Sequence, residues 1–306
     1  MYSDAALRKA LSDPVTVARE MRRILNHRGE AFNQTGVDIF SEDWDNLIIL
    51  DACRADFLAE ALNARDIENT FSTIQSRGSA TFEWVRGNFM DRSLDDTVYV
   101  SASSWYLKLK DEINSSVHDF VPVIGEEYRE PPVDAIPPHY VTEAARDAAN
   151  KYPHKRLLIH YVQPHMPYLG QKGVAEFPEA RHKTVREMML DKDGDREKQT
   201  RLLKEAYMEN LDIVLDDVEQ LASDLSGKTI VSADHGEFLG ERPNKTHPFV
   251  EFGHPVGFRD EPIIEVPWVE LPYEERRAIQ SDAPSENEAV SEEEINEQLR
   301  ALGYKQ

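Results

Sequence analysis

Asn46-Leu-Ile-Ile-Leu-Asp51 is a short, uninterrupted apolar run that starts at an amide and ends at an acid. A strand open to water on one face alternates polar and apolar side chains. A run without alternation is covered on both faces, as in a parallel sheet sandwiched between helices. The same texture returns in Arg156-Leu-Leu-Ile-His-Tyr-Val162 and in Lys228-Thr-Ile-Val-Ser-Ala-Asp234. Thr97-Val-Tyr-Val-Ser101 is a further strand, Phe71-Ser-Thr-Ile-Gln75 a weaker one, and Ile263–Leu271 the last, where Pro267 marks an irregular or edge strand. Helical spacing lies between them, over Cys53–Leu62, residues 139–151 and residues 196–225. In the last of these, Leu203, Tyr207, Leu211, Val214, Val218, Leu221 and Leu225 form one stripe closed by Gly227. Strands alternating with helices predict an α/β fold with a mostly parallel central sheet and helices on both faces.

Outside this frame, residues 4–25 read as one or two amphipathic helices interrupted near Asp13-Pro14. Residues 102–138 are a Pro-containing insertion without clear pattern. Residues 281–298 hold seven acids and no base, the texture of a solvated tail, and Leu299–Tyr304 reads as a short docking helix. The chain therefore divides into a helical extension (1–40), an α/β domain (41–280) and an acidic tail (281–306).

The 306 residues carry 35 Lys+Arg against 57 Asp+Glu, a net charge of −22. Such a charge argues against nucleic acid, which needs a positive field to meet its phosphates. No apolar run approaches the ~20 residues of a membrane span, and the first residues lack a signal peptide's apolar stretch. The single cysteine, Cys53, excludes an intrachain disulfide framework and a Cys-built zinc site. The bases are 22 Arg and only 13 Lys. Acidity spread along the chain with scarce Lys suits a cytoplasmic protein of a high-salt cell, where a Debye length of ~3 Å screens self-repulsion. An ordinary acidic protein is the alternative.

In open α/β sheets ligands bind at the carboxyl ends of strands. Two predicted strands end in Asp51 and in Asp234-His235-Gly236-Glu237, donors suited to a divalent cation. A lone strand-end Asp also serves as a helix N-cap. Several segments together resemble the sulfatase-like branch of the alkaline phosphatase superfamily, including its haloarchaeal members. They are Asn46–Asp56, His160-Tyr-Val-Gln-Pro-His165-Met-Pro-Tyr168, Ser232-Ala-Asp-His-Gly-Glu-Phe-Leu-Gly-Glu241, Gly253-His254-Pro255, Val266-Pro267 and Leu299–Tyr304, in the family's order over about 40–305.

The resemblance implies a three-layer sandwich and a metal-activated hydroxyl nucleophile at the start of a helix over Thr81–Phe89. Thr81 falls at that position, with Ser79 as the alternative nucleophile or as the helix cap. One divalent ion (Zn, Mn, Mg or Ca) is implied on Asp51, Asp234, His235 and the Thr81 oxygen. His254 and His165 are implied to assist the transferred group or leaving oxygen, or else to ligate a second metal. Arg54, Arg77, Ser79, His160 and His247 are the candidate substrate-binding residues; Arg54 can equally pair with Asp56, and His160 can face the core. The implied substrate is a small anionic ester or a glycan- or lipid-linked one. Ala52 stands where many members carry a second acid, which favours one metal. Ser79-Ala-Thr-Phe-Glu83 lacks the Pro and Arg that formylglycine formation requires. A sulfate-ester hydrolase working without formylglycine and a non-catalytic relative in surface-glycan assembly are the rival readings.

Overall fold

A computed structural model describes residues 17, 19, 21–23, 30–178, 183–191, 194–245, 247, 249–285 and 290–304. The helices expected over 4–25 lie largely outside the described residues. In chain order the structure comprises β1 (Asn46–Asp51), α1 (Ala55–Ala64), β2 (Thr70–Gln75), α2 (Thr81–Phe89), β3 (Ser93–Ser101), α3 (Trp105–Ile113) and β4 (Ser116–Pro122). There follow α4 (Pro138–Lys151), β5 (Arg156–Pro164), α5 (Gln171–Glu176), α6 (Val185–Asp191), α7 (Arg196–Asp224) and β6 (Thr229–Ser232). The chain closes with β7 (Phe238–Glu241), β8 (Glu251–Gly253), α8 (Glu261–Ile264), β9 (Glu265–Glu270) and α9 (Glu292–Ala301).

The seven-stranded central sheet has the order β2-β9-β6-β1-β5-β3-β4. β9 is antiparallel to both of its neighbours, and the other pairings are parallel. The unalternating runs are buried on both faces, as their composition predicts. Ile48 and Leu50 of β1 pack with Leu157 and Ile159 of β5 under α1, α4 and α7. Leu47 and Ile49 point the other way, into Trp84, Val85 and Phe89 of α2 and Tyr106 and Leu109 of α3. Three layers result. Truncating a fully buried residue such as Ile49 to Ala would cost about 2–5 kcal/mol.

Three parts differ from the expectation. The patternless stretch 102–138 holds α3, β4 and the whole loop into α4. The last strand is not an edge, because β2 covers its outer side. Its pairing with β6 stops at Trp268, and the Pro267 carbonyl accepts the Ser232 hydroxyl at 2.7 Å. Pro267 therefore owes β6 no N–H. The acidic tail is strapped to the domain rather than solvated at its start. Backbone N–H groups of Gln280, Asp282 and Ser285 bond to His154, Asp95 and His118 carbonyls, and Lys155 Nζ meets Asp282 at 3.0 Å.

Candidate active site

β1 sits mid-sheet between β5 and β6, and the carboxyl ends of these three strands converge. Asp51 ends β1. Behind it Ala52 adopts φ 58°, which turns its N–H onto Asp234 Oδ1 at 3.0 Å; the His235 N–H reaches the same oxygen at 2.8 Å. Tyr207 of α7 braces this turn, donating to the Ala52 carbonyl at 2.8 Å and accepting from the Arg54 N–H at 2.9 Å. Gly236 has no room for a side chain, since a Cβ there would lie 2.0 Å from the Pro262 carbonyl oxygen.

Thr81 is the first residue of α2, and no side chain caps that helix end. Its Oγ1 lies 3.4 Å from Asp51 Oδ2, 3.4 Å from His235 Nε2 and 3.3 Å from the Tyr304 hydroxyl. His235 Nδ1 meets the Gly236 carbonyl at 2.9 Å; a carbonyl only accepts, so Nδ1 carries a proton. Nε2 then faces Asp234 Oδ2 at 3.3 Å and Asp51 Oδ1 at 3.6 Å, two buried oxygens with no hydrogen-bond partner among the described residues. Such oxygens need positive charge between them, a proton on Nε2 or a cation. Two carboxylates, one imidazole oriented by a backbone carbonyl and one hydroxyl form a donor set that fits a divalent cation. Burial, then Asp234 and Glu237, hold the Asp51 carboxyl well above the usual range.

A second group lies beside the first. His165 follows β5 and His254 follows β8, with their Nε2 atoms 3.1 Å apart, and Glu237 completes a group of potential ligands. Burial lowers the His165 imidazole to about 4, and burial, then His235 and His165, hold His254 well below its ordinary value, so both rings are neutral at neutral pH. Burial raises the Glu237 carboxyl to about 8. Asn210 of α7 pins the loop that carries His165, donating to the Pro164, His165 and Pro167 carbonyls and accepting the Leu169 N–H. A cavity of about 400 Å³ opens over this group, lined by His165, Glu237, His254, Tyr304, Arg19 and Arg186 among others.

Thus Asp51, Thr81, Asp234, His235, His165 and His254 come together, while the remaining candidates do not join them. Ser79 accepts the Gly257 N–H at 2.7 Å and donates to Glu83 Oε2 at 2.8 Å, so its hydroxyl is committed. Arg54 pairs with Asp56 and Glu241, and Arg77 bonds to the Gly36 and Gly87 carbonyls. His160 is buried under α2 between Trp84 and Tyr99, whose hydroxyl meets its Nδ1 at 2.8 Å. His247 is held by Glu251, which also binds Arg19. Three site residues lay outside the candidate list. Glu237 and Tyr304 stand inside segments that carried the resemblance, so a signal for each existed. Arg19 had none.

No family model matches the chain, and no curated protein matches it. Among solved structures, the soluble domain of lipooligosaccharide phosphoethanolamine transferase A from Neisseria meningitidis aligns with a TM-score of 0.47 at 12% identity, over 74% of this chain and 75% of that one. The phosphonate monoester hydrolase of Agrobacterium radiobacter aligns at 0.46 and 11%, over 74% and 67%. The lipoteichoic acid synthase LtaP from Listeria monocytogenes aligns at 0.42 and 10%, over 90% and 74%.

Proposed function

We propose that the chain is a metal-dependent phosphoryl-transfer enzyme of the alkaline phosphatase superfamily, a hydrolase or transferase of phosphate esters with Thr81 as nucleophile. The observation that carries this reading is the environment of Thr81 Oγ1. The hydroxyl opens α2 and lies within 3.4 Å of Asp51 Oδ2 and His235 Nε2, beside two buried carboxylate oxygens without partners among the described residues. A Thr hydroxyl is a poor nucleophile unless its pKa is lowered. A divalent ion held by Asp51, Asp234 and His235 would supply that Lewis acidity and neutralise phosphoryl oxygens.

The chain's own groups do the rest. Asp51 Oδ2 takes the Thr81 proton as the Oγ1–phosphorus bond forms and the bond to the leaving oxygen breaks in line. The open N-terminus of α2 presents N–H groups and the positive end of its dipole to the phosphoryl oxygens. His254 and His165, neutral and at the cavity wall, serve the leaving oxygen as hydrogen-bonding groups. Water or an acceptor alcohol then attacks the phosphothreonine and regenerates Thr81.

The test is single-turnover reaction of the metal-loaded protein with an activated aryl phosphate, followed by rapid quench and detection of phosphothreonine. Thr81→Ala should abolish the covalent species, and Asp234→Asn should slow its formation by at least about 100-fold. Unchanged turnover in both variants would reject the mechanism. An aryl sulfate run in parallel assigns the ester class.

A further inference from the structure

The tail of the chain delivers a side chain to the proposed nucleophile. α9 starts at a capping box in which Ser291 and Glu294 bond each other's backbone N–H groups. It is then fastened to the domain along its length. Ser104 Oγ donates to the Ile295 carbonyl at 3.0 Å, Gln298 Nε2 donates to the Ala102 carbonyl at 2.8 Å, and Leu299 is buried. Gly303 at φ 82° ends the helix and folds the chain back, so that the Tyr304 N–H bonds the Leu299 carbonyl at 3.0 Å. Past this cap the Tyr304 ring enters the site. Trp105 meets it edge-on at 5.0 Å, and the His165 ring lies parallel to it at 6.5 Å.

The direction of its hydrogen bond follows from proton counting. Thr81 has one proton, and Asp51 Oδ2 and His235 Nε2, each 3.4 Å away, are the groups placed to take it when the hydroxyl is activated. The Thr81 oxygen is therefore the acceptor in its 3.3 Å contact with Tyr304, and the phenol is the donor. A donor already aimed at an oxygen that gains negative charge stabilises the charged state without reorganisation.

We infer that Tyr304 is a catalytic residue, its hydroxyl donating to Thr81 Oγ1 both as that oxygen attacks phosphorus and as it leaves when the phosphothreonine is resolved. The inference rests on reading Thr81 as the nucleophile. In the first step the Thr81 proton passes to Asp51, the Oγ1–phosphorus bond forms and the leaving-oxygen bond breaks. In the second, water adds to phosphorus and the Oγ1–phosphorus bond breaks, with Oγ1 recovering a proton from Asp51. Tyr304 keeps its own proton throughout and only donates.

Tyr304→Phe in the full chain keeps the ring and removes only the donor. Loss of a hydrogen bond to a charged oxygen predicts about 10- to 100-fold slower phosphothreonine formation and resolution, at unchanged KM and melting temperature. Gly303→Ala is the structural control, since its Cβ would meet Met166 Cε at 2.9 Å in a left-handed backbone and displace the ring with the hydroxyl intact. It should lower the melting temperature as well as the rate. Wild-type rates of both steps in Tyr304→Phe, with Thr81→Ala inactive, would overturn the role of Tyr304 alone. Turnover that survives Thr81→Ala would overturn the nucleophile and this inference with it. If Tyr304→Phe melts as low as Gly303→Ala and slows no more than that control, the hydroxyl is structural and the inference also fails.

Discussion

Glu237 offers a stability test of the site that needs no substrate. Its carboxyl is completely buried, and neither oxygen has a hydrogen-bond partner among the described residues. Burial raises its pKa from 4.5 to about 8, against the lowering pull of Arg54 and with a further push from Glu241. In the unfolded chain the group ionises near its ordinary value. Between the two values the folded state therefore binds a proton that the unfolded state has released, and stability falls as pH rises. The contribution is fully favourable below the unfolded pKa and is lost by the folded one. The full difference is about 3.5 pH units at 1.36 kcal/mol each, or about 5 kcal/mol. Glu237→Gln keeps the shape of the protonated side chain and cannot ionise. Its stability relative to the parent should widen by about 3 kcal/mol over two pH units inside the window, roughly pH 5.5 to 7.5. Removing the charge also relieves one of the causes that raise Asp51, which acts in the same direction. The assay is urea unfolding of both proteins in a chelator across that range. Parallel stability curves would refute the claim that this carboxyl is desolvated and uncompensated. A second series with a divalent cation present should flatten the parent's curve if the ion reaches the His165–Glu237–His254 group.

Ser79→Ala should still form phosphothreonine while losing about 1–3 kcal/mol of stability, because the Gly257 N–H is left without its acceptor; a variant lacking the covalent species would move the nucleophile to Ser79. Asn210→Ala frees the loop around His165 and should cost about 3 kcal/mol together with a lower kcat, read by denaturant unfolding and initial rates; parent-like values in both would show that the loop holds itself. If the acidity reflects a high-salt interior, folding and turnover should persist or improve in molar KCl, whereas an optimum near ~0.1 M with loss above it would count against that origin.

The strands that were legible are those whose environment is uniform. β1, β5 and β6 are covered on both faces, so their apolar residues run without alternation, and the run itself reports the burial. β4 was illegible because it buries His118 and Asp119 through contacts made far away. Tyr152 bonds the Asp119 carboxylate, and the tail's Ser285 N–H bonds the His118 carbonyl. No window of neighbouring residues contains that information. The site divides in the same way. Asp51, Asp234 and His235 stand at ends of readable strands, and Thr81 follows from the segment between them. Arg54 and Arg77 are indistinguishable in sequence from anion-binding arginines, yet nearer partners claim them. Tyr304 meets Thr81 across 223 positions of sequence, which local pattern cannot span.

These placements sharpen the electrostatic problem posed by a net charge of −22. On the proposed reading, an anionic ester entering the cavity meets Glu237 on its wall, and the neighbouring group with which it would react holds two more buried carboxyls, Asp51 and Asp234. The cations beside them are already engaged, Arg54 by Asp56 and Glu241 and Arg19 by Glu251. What is left to favour an anion is Arg186 on the cavity wall, the α2 terminus, worth about half a unit charge, and neutral donors such as the Tyr304 hydroxyl. These do not balance all three carboxyls. Anion capture therefore depends on positive charge reaching the Asp51–Asp234–His235 pocket first, or on protonation of those carboxyls. Because the surface charge repels the ester only over a Debye length while the site acts at contact, bulk salt can relieve the approach but not the final step. Salt dependence should accordingly appear in the capture rate, and dependence on divalent cations in the bound state.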